Sequence, residues 1–524
     1  MSSNTRDDVL NHWFLLSIVA FILYNIRVAV YNLYFHPLAK YPGPLLARIS
    51  PWVNFYHATT GKRPFWIWQC HQVYGETFRY HPNGVFINSP TAFRDVFNSK
   101  ANTRKTQWYH GMALEPKSLN TLCVTDKQAH ARKRRILNSA FSDKAIHSAE
   151  KYILRHVDRW NELTLEGDGK DWGAPRDFAE WVDSLVLDIL GDLAFGRSLE
   201  TKEPQDNPLK AVPHGISQSL KFINPVLHSP FLGAWLWLHP RGLKYLLDRL
   251  RSQASKSYRN FVMESLFRRI KEEEELQALE EENKRKDMIH YLLQAKDPET
   301  GVAAYSSSEL LSETVLLVVA GSDTTAIILS ALFFSLSRSE RIYNKLVREI
   351  RSTFKFVDEI RSGTTLYACQ YLRACVDEAM RFSPTGGSEM PREAGPGGVT
   401  VNGEFSPEGT RLSIGIWSLF RNDEVYGDPH VYRPERWIAD EKAGVTEDDV
   451  ARAKSAFFPF SLGSYNCAGK NLAILEILVT VARTLYRMDA QSIARQHSRR
   501  VQAGIRLGAK GQEDLRIHGR LSSC

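Results

Sequence analysis

The sequence lacks the residue patterns that mark several common protein classes. No C-x-x-C pair occurs among its six widely spaced cysteines, which argues against a disulfide framework and against a structural zinc site. No Asn-x-Ser/Thr sequon is present, which fits a protein on the cytosolic face. No lysine and arginine stripe is interleaved with aromatic residues, so nucleic-acid binding gains no support. The cysteines are Cys70, Cys123, Cys369, Cys375, Cys467 and Cys524.

The length and composition indicate a globular protein with a large core. The chain has 524 residues, of which 43% are hydrophobic and 24% are charged. The formal charge of +8 is modest for this length, and the basic residues are scattered. No flavin or nicotinamide motif appears, so any electrons for a redox reaction would come from another protein.

An apolar segment near the N-terminus, residues 13–35, is long enough for a helix that crosses a bilayer core of about 30 Å. The alternative is an amphipathic helix that lies on the membrane surface, because Asn25 and Arg27 interrupt the apolar run. Acidic residues precede the segment and Lys40 and Arg48 follow it, which favours a protein body on the cytosolic side.

The stretch F-S-L-G-S-Y-N-C-A-G, residues 460–469, places Cys467 on a glycine-bracketed turn just before a helix. Gly463 and Gly469 permit close backbone approaches that a side chain would block. Backbone N–H groups at the helix start would hold the sulfur ionised, so that Cys467 could be an axial ligand to haem iron. Taken alone, the residue fits a small buried hydrophobe better, as most unpaired cysteines do.

A second informative stretch, residues 309–336, predicts one long helix that is apolar on nearly every face except at A-G-S-D-T-T, residues 320–325. The hydroxyl of Thr324 can bond to the carbonyl of Ala320, four residues earlier. Gly321 would leave room for the helix to bulge and admit water. Asp323 lies in the middle of this polar centre, which favours burial beside something reactive.

Other patterns are weaker when each is taken alone. His130 and Arg134 lie four residues apart, so on a helix both could reach one anion, and Glu378 and Arg381 can pair as E-x-x-R. Hairpin turns are predicted at Asn83-Gly84 and Asn402-Gly403. Residues 222–240 are rich in aromatics and predict a lid that touches the membrane, with ordinary core as the alternative. Residues 271–287 predict a solvated helix or linker.

Together these motifs resemble the cytochrome P-450 superfamily, whose cysteine signature is F-x-x-G-x-R-x-C-x-G. Phe460, Gly463, Cys467 and Gly469 match it, and Tyr465 stands where the family has arginine. The resemblance implies a mainly α fold with a smaller β region behind a single N-terminal transmembrane helix. Residues 1–36 would form the membrane anchor, and residues 37–524 the catalytic domain, as in membrane-bound fungal members.

The same resemblance implies one haem b, with Cys467 as the axial ligand of the iron. Arg134 and Arg392 would bind the haem propionates, and His130 occupies a position where the family has tryptophan. Phe460 and Gly469 would shape the ligand loop around the cofactor. Asp323 and Thr324 would be the catalytic pair that delivers protons.

The resemblance also assigns a structural role to three charged residues. Glu378, Arg381 and Arg436, the last from P-E-R-W, would form a buried triad that locks the cysteine loop in place. Such clusters are poor net stabilisers but costly to break. Arg132, Lys133 and Arg135 would either dock an acidic reductase or form a solvated basic face. Glu389, in the loop that lines the pocket, could meet a polar group, but it is more simply expected to face outward.

The implied activity is monooxygenation of a lipophilic small molecule with O2. Electrons would come from NADPH-cytochrome P-450 reductase, with cytochrome b5 as an optional donor, and membrane lipid would be a further partner. The expected location is the endoplasmic reticulum membrane, and the expected role is fungal secondary metabolism. Two alternatives stay open: an oxygen-independent haem-thiolate isomerase or dehydratase, and a non-catalytic haem-binding sensor.

Overall fold

The structure is a computed structural model that describes residues 2–113, 115, 117–165, 176–276, 286–297, 301–495 and 502–509. Most of the predicted linker, residues 277–285, lies outside the described residues, and so do Cys524 and the last part of the expected catalytic domain. Within the described part, helices dominate and the strands are short, as the resemblance implied.

The N-terminal third joins the anchor helix to a strand-rich region. Its elements are α1 (Ser2–Val30), α2 (Leu45–Ile49), α3 (Trp52–Thr59), α4 (Arg63–Tyr74), β1 (Thr77–His81), β2 (Gly84–Ile87), α5 (Pro90–Phe97), β3 (Thr103–Lys105) and α6 (Trp108–Gly111). A π-helical turn, Tyr31–Phe35, continues α1 to the start of the body.

The middle third supplies most of the helical core. Its elements are α7 (Lys127–Ala140), α8 (Asp143–Thr164), β4 (Arg176–Asp177), α9 (Phe178–Phe195), α10 (Val212–Leu227), α11 (Leu232–Leu238), α12 (Leu243–Leu250), α13 (Gln253–Leu276), α14 (Met288–Leu293) and α15 (Ser307–Ser337).

The C-terminal third contains the cysteine loop between α21 and α22. Its elements are α16 (Glu340–Thr353), α17 (Thr364–Tyr367), α18 (Gln370–Phe382), β5 (Arg392–Ala394), β6 (Val399–Val401), β7 (Glu404–Ser406), β8 (Arg411–Ser413), α19 (Ile416–Leu419), α20 (Asp423–Tyr426), α21 (Glu447–Ser455), α22 (Lys470–Arg487), β9 (Met488–Arg495) and β10 (Gln502–Ala509). Short 3-10 turns include Pro434–Trp437 and Gly463–Tyr465.

The strands form three small sheets. The largest has the order β1-β2-β8-β5-β3, with β2 and β8 parallel and the other pairs antiparallel. The other two are β4-β10-β9 and β6-β7. Both predicted hairpins are present: β1 pairs with β2, and the β6–β7 turn has positive φ at Asn402 (52°) and Gly403 (78°). Asparagine followed by glycine suits that turn because both tolerate positive φ.

Helix α15 is the long helix predicted at residues 309–336, and a Ser306–Glu309 capping box fixes its start. It packs against α9, where the rings of Phe178 and Phe333 lie 4.7 Å apart. A Cβ on Gly321 would lie 2.8 Å from Leu190 Cδ1. The helix does not bulge at Gly321, where α15 remains α-helical. Glycine at this position allows α9 to approach closely.

The anchor segment leaves the body as one exposed apolar helix. Asn11–Phe35 is long and apolar enough to cross a membrane, and none of its apolar 18-residue window is buried. Its last carbonyls are bound by the body: Arg79 Nη1 donates to Asn32 O at 2.5 Å, and Arg48 donates to Leu33 O. Helix α15 passes the same length and hydropathy test, but it packs in the core of the body.

Candidate functional site

The predicted ligand loop is a tight turn ahead of α22. The N–H of Cys467 donates to Phe460 O at 2.9 Å, which closes the loop on itself. The Cys467 side chain is exposed, yet burial by surrounding protein atoms raises the pKa of its thiol. A backbone hydrogen bond from Gly469 and the charges of Arg134 and Lys470 oppose that rise. Solvent therefore reaches a thiol that many protein atoms surround, as it would on the wall of a cavity.

Arg134 ties this loop to α7. Its Nη2 donates to Asn466 Oδ1 at 2.7 Å, its Nη1 donates to Asn466 O, and its Nε donates to Asn138 Oδ1. The residue is half-buried, and burial lowers its pKa while Cys467 opposes that shift. Arg134 therefore lies beside the cysteine loop and holds the residue that precedes Cys467.

Tyr465, the residue at the family's arginine position, lies among basic side chains. The ring of His130 is 4.4 Å from its ring, and Arg392 Cζ is 4.9 Å from its centroid. Lys105 Nζ lies 4.6 Å from the same centroid. Arg392 is fully buried, bonds to Tyr109 Oη and leaves its Nε without a partner among the described residues. The structure thus brings His130, Arg134 and Arg392 to one loop.

This cluster fits an anionic cofactor. Among the described residues, no carboxylate lies within salt-bridge distance of Lys105, Arg134 or Arg392. Burial and the charges of Lys105, Arg134 and Arg392 lower the pKa of His130 to about 3. Buried positive charges that lie close together are unfavourable unless an anion balances them. A haem with two propionates needs a ligand for its iron and positive charge for its carboxylates. The thiol would supply the first, and the neighbouring unbalanced cations would supply the second.

Helix α15 exposes one stripe although its other faces are buried. Ala320 and Ile327 are exposed in the middle of this core helix, and Thr324 is half-buried between them. The spacing of four and three residues places them on one face, which lines an open space. Thr324 Oγ1 donates to Ala320 O at 2.8 Å, as the sequence predicted. Burial raises the pKa of Asp323, which lies next to this stripe.

The predicted charge triad is assembled in the core. Arg381 donates twice to the Glu378 carboxylate, at 2.8 and 2.9 Å, and Arg436 Nε donates to Glu378 Oε1 at 3.0 Å. Trp437 Nε1 adds a further bond to Glu378 at 3.0 Å. Arg381 also donates to the carbonyls of Phe420 and Pro429. All the members of the triad are buried, and together they join α18 to the segments that precede the cysteine loop.

Glu389 does not face outward, and that expectation is wrong. The carboxylate is buried, and Arg63 of α4 holds it through both terminal nitrogens, one at 2.6 Å. Burial alone would raise the pKa of Glu389, but the charge and hydrogen bonds of Arg63 outweigh burial and hold it at about 2. The carboxylate that was expected to face outward is one half of a buried ion pair, so it meets a polar group, as the alternative expectation allowed.

The basic face of α7 is smaller than its sequence suggests. Arg132 and Arg135 are exposed, whereas Lys133 is buried and lies 3.0 Å from Glu309 and 3.5 Å from Glu313. Lys133 therefore joins α7 to α15 and is not available for docking. Arg132 and Arg135 are exposed on the helix that touches the cysteine loop, and Arg132 Nη1 lies 3.6 Å from Asp297.

Sequence reasoning missed Lys105 and Arg63. Strand β3 reads Thr-Arg-Lys with alternating burial, so Lys105 points inward and Arg104 outward. The period of two predicts that Thr103 and Lys105 share a face, but it does not say which face is buried. Arg63 and Glu389 are 326 residues apart in the chain, so no local pattern links them.

Comparison with known proteins gives a consistent match over the body. The cytochrome P450 family model matches residues 42–507. A cytochrome P450 monooxygenase, poxM, from Penicillium oxalicum is 36% identical over 476 residues, which are 90% of this chain and 88% of that protein. Another, fscF from Fusarium equiseti, is 34% identical, covering 91% and 89% of the two chains. Fusicoccadiene 8-ol C-16 hydroxylase from Alternaria brassicicola is 29% identical, covering 90% and 91%.

Proposed function

Because the chain belongs to the cytochrome P450 family and is a haem-thiolate monooxygenase of the fungal type, we propose that it oxidises a lipophilic intermediate of secondary metabolism. Its cofactor is haem b with a cysteine axial ligand. We assign that ligand to Cys467. The observation that supports the assignment best is a solvent-reached thiol that lies deep among protein atoms, on a loop held by Arg134.

The residues around the cofactor have distinct roles in this proposal. Arg134 and Arg392 balance the propionate charges, and the ring of His130 packs on Tyr465 beside them. Phe460 accepts the N–H of Cys467, and Gly469 donates to its sulfur. The triad of Glu378, Arg381 and Arg436 holds the chain segments before the loop in register. Breaking it would leave buried charges without partners.

When bound, a haem with a thiolate ligand activates dioxygen, because the thiolate pushes charge towards the oxygen and favours cleavage of its O–O bond. In the net reaction one oxygen atom enters a C–H bond of the substrate, and the other leaves as water with two protons and two electrons. Asp323 and Thr324 move those protons. Burial raises the Asp323 pKa, so its carboxyl holds a proton closer to neutral pH, and Thr324 Oγ1 retains acceptor capacity for water.

The substrate would bind on the open stripe of α15. Ala320 and Ile327 present apolar surface on either side of Thr324. Met390, 43% exposed in the loop before β5, offers further apolar surface. Apolar walls with few polar groups favour a lipophilic ligand. The hydroxylase from Alternaria brassicicola acts, by its name, on fusicoccadiene 8-ol, which supports hydroxylation of an apolar molecule here.

Membrane attachment supports the same substrate class. We propose that residues 1–36 anchor the protein in the endoplasmic reticulum membrane with the catalytic domain, residues 37–524, on the cytosolic side. An exposed aromatic surface lies on the body: Trp52 of α3 meets Phe231, at 5.4 Å between ring centroids, and Trp237 of α11 is also exposed. Aromatic side chains favour the membrane interface. This arrangement supports the prediction that residues 222–240 form a lid that touches the lipid.

Electrons would come from NADPH through a separate reductase, with cytochrome b5 as an optional second donor. Arg132 and Arg135 are exposed on α7, whose Arg134 contacts the cysteine loop. Positive charge on this side of the protein would attract an acidic partner protein. Docking there would shorten the path of the electrons to the Cys467 ligand.

The test uses the full-length chain expressed in microsomes with a fungal reductase. Microsomes with NADPH receive an extract from a strain that lacks the protein, and products are followed by mass spectrometry. We expect a product heavier by one oxygen, formed only with NADPH, and absent with Cys467→Ser. A product of unchanged mass formed without NADPH would instead indicate an isomerase, loss of water would indicate a dehydratase, and haem binding without turnover would indicate a sensor.

A further inference from the structure

Lys105 is a buried cation with no carboxylate partner among the described residues, and it lies beside Tyr465, the residue at the family's arginine position. Its ammonium donates to the carbonyls of Thr121 (3.2 Å), Leu122 (2.8 Å) and Val124 (3.1 Å). An ammonium has three hydrogens, and all three are used. These bonds fix the position of the ammonium group and leave it no hydrogen for a further bond. Lys105 therefore acts on a neighbouring anion through its electric field.

Lys105 and Arg392 both lie close to the same two tyrosine rings. Lys105 Nζ is 4.6 Å from the Tyr465 ring centroid and 5.2 Å from that of Tyr109. Arg392 Cζ is 4.9 and 5.4 Å from the same two centroids. The negative faces of aromatic rings attract cations, and this attraction strengthens when the cation is desolvated. The rings thus allow two cations to stay close in the absence of an anion.

The charge balance around Lys105 is incomplete. Burial, and after it the charge of Arg392, lower the pKa of Lys105 to about 7, and Arg134 adds to that effect. Glu313 and Cys123 oppose it, but Glu313 already pairs with Lys133. An anion bound at this cluster would restore the charged form of Lys105.

We propose that Lys105 and Tyr465 together replace the family's arginine. Lys105 supplies the positive charge for a haem propionate, and Tyr465 supplies the hydrogen-bond donor. The proposal rests on the haem assignment made above. An arginine provides charge and donors on one side chain, whereas tyrosine provides a donor and no charge. No other hydrogen bond to the Tyr465 hydroxyl is made within the described part of the chain.

The first experiment measures the rate at which haem leaves the purified full-length protein for a haem-free acceptor. Lys105→Met keeps the length of the side chain and removes its charge, and Lys144→Met is the matched control on exposed α8 surface. We expect Lys105→Met to release haem about tenfold faster or more, as for a lost charge-assisted interaction. Lys144→Met should match the parent protein.

A second arm shows whether the effect acts through the carboxylates. The same variants are loaded with haem dimethyl ester, in which both propionates are uncharged. We expect the difference between Lys105→Met and the parent protein to disappear with the ester. Equal acceleration with natural and esterified haem would overturn the proposal, because it would mean that Lys105 only supports the fold of the loop. No acceleration with natural haem would also overturn it.

A third arm restores the family's arrangement. Tyr465→Arg alone places a third cation beside Lys105 and Arg392 and should not slow haem release. Tyr465→Arg combined with Lys105→Met should return release to the parent rate, and failure to do so counts against the proposal. Lys105→Arg keeps the charge and should retain haem. The reduced carbon monoxide difference spectrum, recorded in parallel, tests the Cys467 ligand separately from Lys105.

Discussion

Gly463 lies so close to Phe97 that a Cβ on the glycine would be 2.2 Å from the Phe97 carbonyl oxygen. Gly463 also has φ of 68°, a conformation that suits glycine. The cysteine loop is therefore pressed against the end of α5, and two independent constraints require glycine four residues before Cys467.

Gly463→Ala should disrupt the ligand loop. The added methyl group cannot be accommodated without movement of backbone, so we expect loss of most bound haem after purification, measured as the haem-to-protein ratio. Gly444→Ala is the matched control, because Gly444 has φ of 74° but no atom of the described residues within 4 Å of its Cβ position. That variant bears the backbone strain alone, about 1 kcal/mol. Equal haem content in both variants would contradict this account.

Arg134→Ala should weaken haem retention more than a surface charge change does. The substitution removes a cation from the cluster and also the bonds from Arg134 to Asn466, next to Cys467. We expect haem release to accelerate about tenfold or more. Arg135→Ala, which removes the exposed neighbouring arginine, is the control and should release haem at the parent rate. An Arg134→Ala protein that keeps its full haem complement after purification would refute this prediction.

The Arg63–Glu389 pair should make stability depend on acid pH. The folded-state pKa of Glu389 is about 2, below its ordinary value of 4.5. The stabilisation of the fold by the ionised carboxylate is therefore complete above pH 4.5 and is lost as pH falls towards 2. A difference of this size corresponds to about 3 kcal/mol. Glu389→Gln should therefore lower the free energy of unfolding at pH 7, and the gap from the parent protein should shrink between pH 4.5 and 2.

The measurement is denaturant unfolding of the detergent-solubilised chain at several pH values. Glu264→Gln, an exposed change on α13, serves as the control and should follow the parent protein throughout. A gap between Glu389→Gln and the parent protein that stays constant with pH would show that the ion pair does not hold the carboxylate ionised.

Local patterns predicted the elements that define the site. The apolar run of α15 was located to within two residues at its start and one at its end, because its period and polar centre are both local signals. The triad of Glu378, Arg381 and Arg436 is close in space as expected. Its third member is recognisable only through the family motif, since 55 residues separate Arg381 from Arg436.

What the sequence did not reveal depends on contacts between distant segments. Lys105 lies next to Tyr465 because β3 pairs with β5, which places Lys105 directly opposite Arg392 in the sheet. Burial of Lys133 likewise depends on the packing of α7 against the start of α15. A charged residue on an amphipathic helix is expected to be solvated until the packing of the neighbouring helix is known. For this reason the sequence did not predict the burial of Lys133.

Thr324→Ala should separate electron consumption from product formation. The hydroxyl that donates to Ala320 O is lost, and with it an acceptor for water beside Asp323. We expect the yield of oxidised product per NADPH to fall by about tenfold, with hydrogen peroxide released instead, because proton delivery of this kind contributes at least that factor. Thr324→Ser keeps the hydroxyl and should restore the yield.

Ser322→Ala is the control for Thr324→Ala on the same helix. Ser322 Oγ makes the equivalent bond to Val318 O at 2.7 Å but is buried against the core. Removing it alters α15 to a similar extent without touching the open stripe, so the yield per NADPH should stay at the parent value. If Ser322→Ala lowers the yield as much as Thr324→Ala does, the effect comes from the helix backbone, and the role of Thr324 in proton delivery is wrong.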